Sequence, residues 1–247
     1  NSEITGMLLG SSDDVFSFEA SYEEKNLIPI VEESQVLNQK IFTLFKISSD
    51  IESDIIDFSN KGDFDLLLIS VNESIYDGTL LGRLLGFTTR IVNPDRIIDK
   101  FTGKEGLFEN SPFDENTRHI LTNAKIPVGV FVDKDLEEIE NIFIPIFSKE
   151  DVFLIEYAQK FIHNNEAQLI VVDVNNHIKN NFTLKELIRS IEQVKPNHIT
   201  VLDVATVQKD ILQKQNLVLI SLESWKKLID SRSKWLKDMP SVLIIKP

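Results

Sequence analysis

Two groups of residues in this sequence have types and spacings that can do chemistry. In the second half, Ser148 and Lys149 follow an apolar run from Ile142 to Phe147, and Glu223, Ser224 and Trp225 follow another from Leu217 to Leu222. Hydroxyls, an ammonium group and a carboxylate at the ends of buried strands suit a polar ligand. Lys149 would meet an anion at the start of the following helix, or else simply be solvated. The second group is Tyr76-Asp77-Gly78-Thr79-Leu80-Leu81-Gly82-Arg83-Leu84-Leu85-Gly86, with glycines four residues apart. Read as a phosphate loop, its backbone amides cradle an anion and Arg83 supplies counter-charge. Read as a packing element, Gly82 and Gly86 only permit close approach. The spacing fits no phosphate-loop pattern, which favours packing. The stretch from Glu73 to Asn110 is nonetheless long for a loop in a compact domain, and loops of that length usually carry function.

Other constellations are weaker. His119, His163, His177 and His198 are scattered, with no zinc-binding pair. His163, near a helix end, can sense pH or complement the helix dipole, and the dipole role is the more common. Asp133, Asp135 and Glu137 alternate like the front of a calcium loop, but the glycine and closing glutamate that such a loop needs are missing. Asp133, Asp173 and Asp203 each end a strand, where capping the next turn is the usual role. No Ser-His-Asp order or nucleophile elbow is present, and there is no cysteine. We therefore expect neither a catalytic residue nor a metal site.

The elements that position these residues alternate strictly. Asn141 to Val174 reads as strand, amphipathic helix and strand, with Leu154, Ile155, Ala158, Phe161 and Ile162 on one stripe. Two strands so joined lie parallel with a right-handed crossover. Beyond them come a helix opened by Thr183 and Glu186, a strand from His198 to Val204, and a short helix from Val207 to Lys214. A strand from Leu217 to Leu222, a helix carrying Trp225, Leu228, Ile229, Arg232, Trp235 and Leu236, and a strand from Val242 to Ile245 complete the half. Five strands in β/α alternation predict a doubly wound parallel sheet, whose ligands bind outside the carboxyl ends of the strands. Ser148, Lys149, Glu223, Ser224 and Trp225 would rim that crevice.

The first half is a variant of the second. Ile41 to Ile55 matches Ile199 to Ile211, Leu66 to Ser74 matches Leu217 to Ser224, and Ile126 to Lys134 matches Met239 to Pro247, in the same order. Its helices are expected to be capped by Ser49 with Glu52, and by Ser111 with Pro112 at the first helical position. Residues 1–20 are hard to read. Met7 to Leu9 is a strand or a loop, Ser21 with Glu24 resembles a capping box, and Pro29 argues for a break or a late helix start. No counterpart of the opening strand, helix and second strand is legible before residue 20, so the first copy is expected to be incomplete, with those pieces upstream or supplied by a neighbour. The domains are then 1–134, with a long insert over 73–110, and 141–247, joined by the acidic Asp133 to Glu140.

A net charge of −13, from 39 acidic and 26 basic residues, argues against a nucleic-acid partner, whose phosphate backbone needs clustered Lys and Arg. No apolar run is long enough to span a bilayer, and 42% hydrophobic residues indicate a folded chain.

On the repeat, the chain resembles a tandem pair of universal-stress-protein-like domains over Lys40 to Pro247. As a whole it resembles the cytoplasmic C-terminal region of bacterial monovalent cation:proton antiporters of the second superfamily. That resemblance implies a non-catalytic regulatory domain on the cytoplasmic side of the cell membrane, attached to a transmembrane antiporter domain of the same chain and often dimeric, here a homodimer. Nucleotide-binding stress proteins carry an Asp after the first strand, and after the fourth a G-x-x-G stretch followed by G-[ST]. Here Phe147 occupies the Asp position, and Leu222-Glu223-Ser224-Trp225 contains no glycine. No cofactor is therefore expected, and ATP is disfavoured. The alternative is a free-standing tandem universal stress protein that binds adenine nucleotide. A metabolite-binding enzyme of the same fold superfamily is a third reading.

Overall fold

In a computed structural model of the protein, residues 3–11, 27–71, 113–174, 176–203, 209–230 and 239–247 are described. The chain forms two compact units, Asn1–Asp63 and Phe64–Pro247. The glycine-containing group Gly78, Gly82, Arg83 and Gly86 lies outside the described residues. So do Ser21, Glu24, Ser111, Pro112, Arg232, Trp235 and Leu236.

Unit 1 contains β1 (Ile4–Ser11), α1 (Ile28–Val36), β2 (Ile41–Ser48) and α2 (Ile51–Lys61). The two strands pair in parallel from Ile4↔Ile41 to Ser11↔Ser48. This corrects the expectation that no second strand precedes residue 20. Gly6 and Gly10 dilute the apolar alternation of β1, which hid it. Pro29 falls in the first turn of α1, where its missing N–H breaks no helical bond. It therefore opens the helix rather than interrupting it.

Unit 2 contains β3 (Leu67–Val71), α3 (Glu115–Asn123), β4 (Val128–Val132), β5 (Asn141–Ile146), α4 (Leu154–Asn165), β6 (Gln168–Asp173), α5 (Phe182–Val194), β7 (Ile199–Leu202), α6 (Lys209–Leu212), β8 (Leu217–Ser221), α7 (Leu222–Asp230) and β9 (Ser241–Lys246). A single 3-10 turn, Lys149–Phe153, leads into α4. The strands form one seven-stranded sheet in the order β3-β4-β9-β8-β5-β6-β7. Every pairing is parallel except β4 with β9, which is antiparallel over five pairs centred on Val130↔Ile244. The chain adopts the predicted α/β class, but the sheet is mostly rather than wholly parallel, because β4 and β9 meet antiparallel. The sheet also runs across the acidic segment expected to join two domains, so β3 and β4 are continuous with β5 to β9.

The core follows from periodicity. Leu154, Ile155, Ala158 and Ile162 of α4 are buried against Ile142, Ile144 and Ile146 of β5, Leu169 and Val171 of β6, and Leu217 and Leu219 of β8. Three helix starts differ from the expected capping boxes. Asp50, Asp114 and Asn181 cap α2, α3 and α5, each accepting from the backbone N–H three residues on (Ser53, Thr117 and Leu184). A short Asx side chain reaches that amide directly, so at α2 and α5 it took the role expected of Ser49 and Thr183.

At Gly129 of β4, an added Cβ would lie 3.1 Å from Leu68 Cδ1 and 3.2 Å from Leu243 Cδ1. Leu68 is exposed and its tip can yield, but Leu243 is buried. Gly129→Val, which adds two more methyl groups, is expected to destabilise the fold by about 1–3 kcal/mol through overpacking, read from urea unfolding.

The ends of α4 and α5 are tied by Lys195 Nζ to Glu166 Oε1 at 2.8 Å, with Glu166 in the left-handed region at φ 56°. The Lys195 hydrogen bond and charge hold the Glu166 carboxyl below its usual range. A depressed folded-state value means the pair contributes stability above the unfolded-state pKa and loses it as pH falls through the folded one. Lys195→Met is expected to move the Glu166 titration upward in an NMR pH series and to weaken the acid limb of the stability profile.

Candidate functional site

The candidate site lies at the carboxyl ends of β5 and β8. These neighbours (Ile142↔Leu217, Phe143↔Val218) mark the place where chain order reverses across the sheet. In a doubly wound sheet such a reversal opens the ligand crevice. β5 delivers Phe147 and Ser148, and the following turn delivers Lys149 and Asp151. β8 ends on Ser221, and α7 starts at once with Leu222, Glu223, Ser224 and Trp225.

One group fills the crevice. Asp151 is 0% exposed, and its carboxylate collects donors from both sides. Oδ2 accepts from Phe147 N and Ser148 N at 2.9 Å each, and from Ser148 Oγ at 3.3 Å. Ser224 Oγ donates in a forked contact at 2.8 Å to each carboxylate oxygen, and Ser221 Oγ donates to Oδ1. Ser221 Oγ in turn accepts from Ser224 N at 3.1 Å. The network ties the end of β5 to the end of β8 and the start of α7. A buried carboxylate is tolerable only when so satisfied.

The remaining backbone at the end of β5 is also engaged. His177 Nε2 lies 3.2 Å from the Phe147 carbonyl oxygen. Asp173, which is buried at the end of β6, accepts from His177 N, Ile178 N and Lys179 N, as capping predicts. Asp133 likewise accepts from Leu136 N. With its amide nitrogen turned toward the carboxylate, Asn176 donates to Asp203 at 2.9 Å.

The crevice residues named from sequence separate into two groups. Ser148, Ser224 and Trp225 come together at the strand ends, and Trp225 is fully buried. Lys149, with 82% of its side chain exposed, stands out in solvent 3.9 Å from Glu150, and Glu223 is exposed as well. The Glu150 carboxyl is held below the usual range by its own backbone N–H and then by Ser148. The residue that sequence reading missed is Asp151. Its signal was Ser148-x-x-Asp151, a reciprocal capping spacing just ahead of an apolar stripe.

Away from the crevice, a cavity of about 360 Å³ is lined by Lys134, Asp135, Glu137, Glu138, Glu140 and Gln215, among others. It sits at the amino ends of β5 and β8, where the fold has no ligand crevice. Among the described residues, no cluster of His, Asp and Glu is arranged to hold a metal ion, and no helix is long and apolar enough to cross a membrane.

The arrangement is a mostly parallel α/β sheet with a buried, hydrogen-bonded carboxylate at the strand ends where chain order reverses, and its fold is similar to that of a solved universal stress protein. A universal stress protein from Archaeoglobus fulgidus DSM 4304 superposes with a TM-score of 0.51 at 12% identity, covering 98% of this chain and 85% of that one. A functionally unknown protein from Pseudomonas aeruginosa PAO1 superposes with a TM-score of 0.44 at 14% identity, covering 98% and 82%. No family profile matches the sequence, and no curated protein matches it.

Proposed function

We propose that the chain is a non-catalytic regulatory module made of two stress-protein-like copies in tandem, the first incomplete, serving a cation/proton antiporter on the cytoplasmic side of its membrane. The tandem reading is supported by element order. β1-α1-β2-α2-β3-α3-β4 runs in the same sequence as β6-α5-β7-α6-β8-α7-β9, and the three sequence matches fall on corresponding elements. The assignment to an antiporter is supported by the overall sequence resemblance and by the acidic balance, which suits a partner with basic loops.

The observation that supports a crevice without nucleotide is Asp151. A phosphate brought to the ends of β5 and β8 would meet a buried carboxylate, and the nearby amides of Phe147 and Ser148 are already donated to it. Regulation would then act through packing: a signal that favours one arrangement of the module biases the attached transporter by the free-energy difference between arrangements.

Calorimetric titration with ATP is expected to show no binding in the micromolar range, and a Kd below about 10 μM would overturn the closed-site reading. For the antiporter, the reading frame ahead of Asn1 should encode a series of apolar spans of about 20 residues. A frame without them would remove that assignment and leave the closed site untouched.

A further inference from the structure

We propose that the cavity at the amino ends of β5 and β8 is a binding site for a small aliphatic polyamine.

The cavity, about 360 Å³, lies wholly within unit 2, where the carboxyl end of β4 meets the amino ends of β5, β8 and β9. Small-molecule sites start at about that size. β4 runs antiparallel to β9, so the turn that leaves it passes over this rim and supplies most of the lining. That turn is strongly acidic. Asp135, Glu137, Glu138 and Glu140 all line the cavity and are exposed. Among the described residues, none of their carboxylates is in an ion pair. Lys134 is the one basic residue of the lining, and its Nζ donates to the Met239 carbonyl at 2.9 Å. Four carboxylates against one ammonium leave an excess of three negative charges.

Acidic turns are common and are usually only solvated, so the charge alone would identify nothing. Gln215 adds the second observation. It lines the same cavity and is 8% exposed. Its Nε2 donates to the Ile211 carbonyl at 2.8 Å and its backbone N–H to the Leu212 carbonyl at 3.1 Å, so both donors are spent on α6. With Nε2 turned back to that helix, Oε1 is the end of the amide left to the cavity. It is buried and has no hydrogen-bond partner. The next residue shows the usual condition: Asn216 Oδ1 accepts from Asn141 N at 2.9 Å and from Glu140 N at 3.3 Å. Buried acceptors are normally satisfied in this way. Gln215 lacks a donor from the protein, and a ligand N–H would be one.

The combination selects the ligand. Uncommitted acceptors and excess negative charge require a cation rich in donors. A metal ion would need carboxylates converging on one point, and among the described residues no such group occurs. Leu136 and Pro240 add apolar surface to the wall, against which methylene groups can lie. Ammonium groups spaced along a short hydrocarbon chain match all three features, with one at Gln215 Oε1 and the others at the carboxylates of the mouth.

Calorimetric titration of the 247-residue chain with spermidine tests this. In about 0.15 M salt, which screens loose surface attraction beyond about 8 Å, one-to-one binding with a Kd below about 100 μM is expected. Gln215→Met removes the acceptor and keeps the volume, and should weaken binding about tenfold or more. Glu137→Gln with Glu138→Gln should do the same from exposed positions that leave the fold intact. Glu156→Gln with Glu186→Gln, on α4 and α5, removes equal charge elsewhere and should change Kd by less than about twofold. Equal weakening by the two charge pairs would reduce the effect to general attraction and overturn the proposal. So would an unchanged Kd in Gln215→Met, or the absence of one-to-one binding. A lysine tripeptide bound as tightly as spermidine would assign the cavity to a basic loop of a protein partner, and would overturn it too. None of these results bears on the ATP titration or on the antiporter assignment.

Discussion

Replacing Asp151 with alanine is expected to cost about 3–5 kcal/mol of folding stability, within reach of the whole stability of an ordinary domain. The reason is the number of groups that depend on it. Two backbone amides, Phe147 N and Ser148 N, and the hydroxyls of Ser148, Ser221 and Ser224 all donate to this one carboxylate. Each buried donor left without an acceptor costs about 1–3 kcal/mol, offset in part by water entering the space. Asp151→Asn keeps the volume but turns one acceptor into a donor among donors, so it should also destabilise, by about 2–3 kcal/mol. The serines supply the control: in a Ser221→Ala, Ser224→Ala background the alanine substitution at 151 should cost measurably less, because fewer donors are stranded. Urea unfolding followed by circular dichroism reads all four proteins. A loss below about 1 kcal/mol for Asp151→Ala would mean that the carboxylate merely occupies the crevice and does not hold its two sides together.

Trp225→Ala should have an effect of similar size, about 3–5 kcal/mol, for a different reason. The indole is the largest fully buried side chain among the described residues. It stands on the first turns of α7, directly after the serines that grip Asp151. Its removal leaves a cavity that the short β8-to-α7 connection cannot collapse to fill. Trp225→Phe should lose less, since a ring remains. Glu223→Ala, two residues away on the exposed face of the same helix, should stay within about 0.5 kcal/mol. Matching losses at 223 and 225 would contradict the view that this tryptophan serves packing rather than an open ligand face.

The sequence made much of this architecture legible, because burial imposes periodicity. The stripe Leu154, Ile155, Ala158 and Ile162 and the apolar runs of β5, β6, β8 and β9 are buried as their spacing requires. Caps were legible only as neighbourhoods. Ser49 and Thr183 looked suitable, and an Asx residue one or two positions away took the role in each case, since reach to one amide decides it. β1 was legible only as Met7 to Leu9, a strand or a loop, because two glycines interrupt its eight residues. Asp151 was missed because its partners come from β8 and α7, with 70 and 73 residues separating it from Ser221 and Ser224. The β4–β9 pairing had no local signature either. It joins strands whose contacts, such as Lys134 N to Ser241 Oγ, span 107 residues, and an alternating strand does not announce which edge it will meet.

That antiparallel junction has a consequence for how the protein behaves when diluted. β4 and β9 exchange backbone hydrogen bonds over five pairs. Their rims are stitched by Lys134 Nζ to the Met239 carbonyl at 2.9 Å and by Lys246 Nζ to the Ala124 carbonyl at 3.3 Å. Between separate molecules such a junction would come apart as concentration fell. Here both strands belong to one chain, and the link from β4 to β5 is only Asp133 to Glu140. A tether that short holds its ends at an effective concentration on the order of millimolar. Closure of the joint is therefore independent of how abundant the protein is.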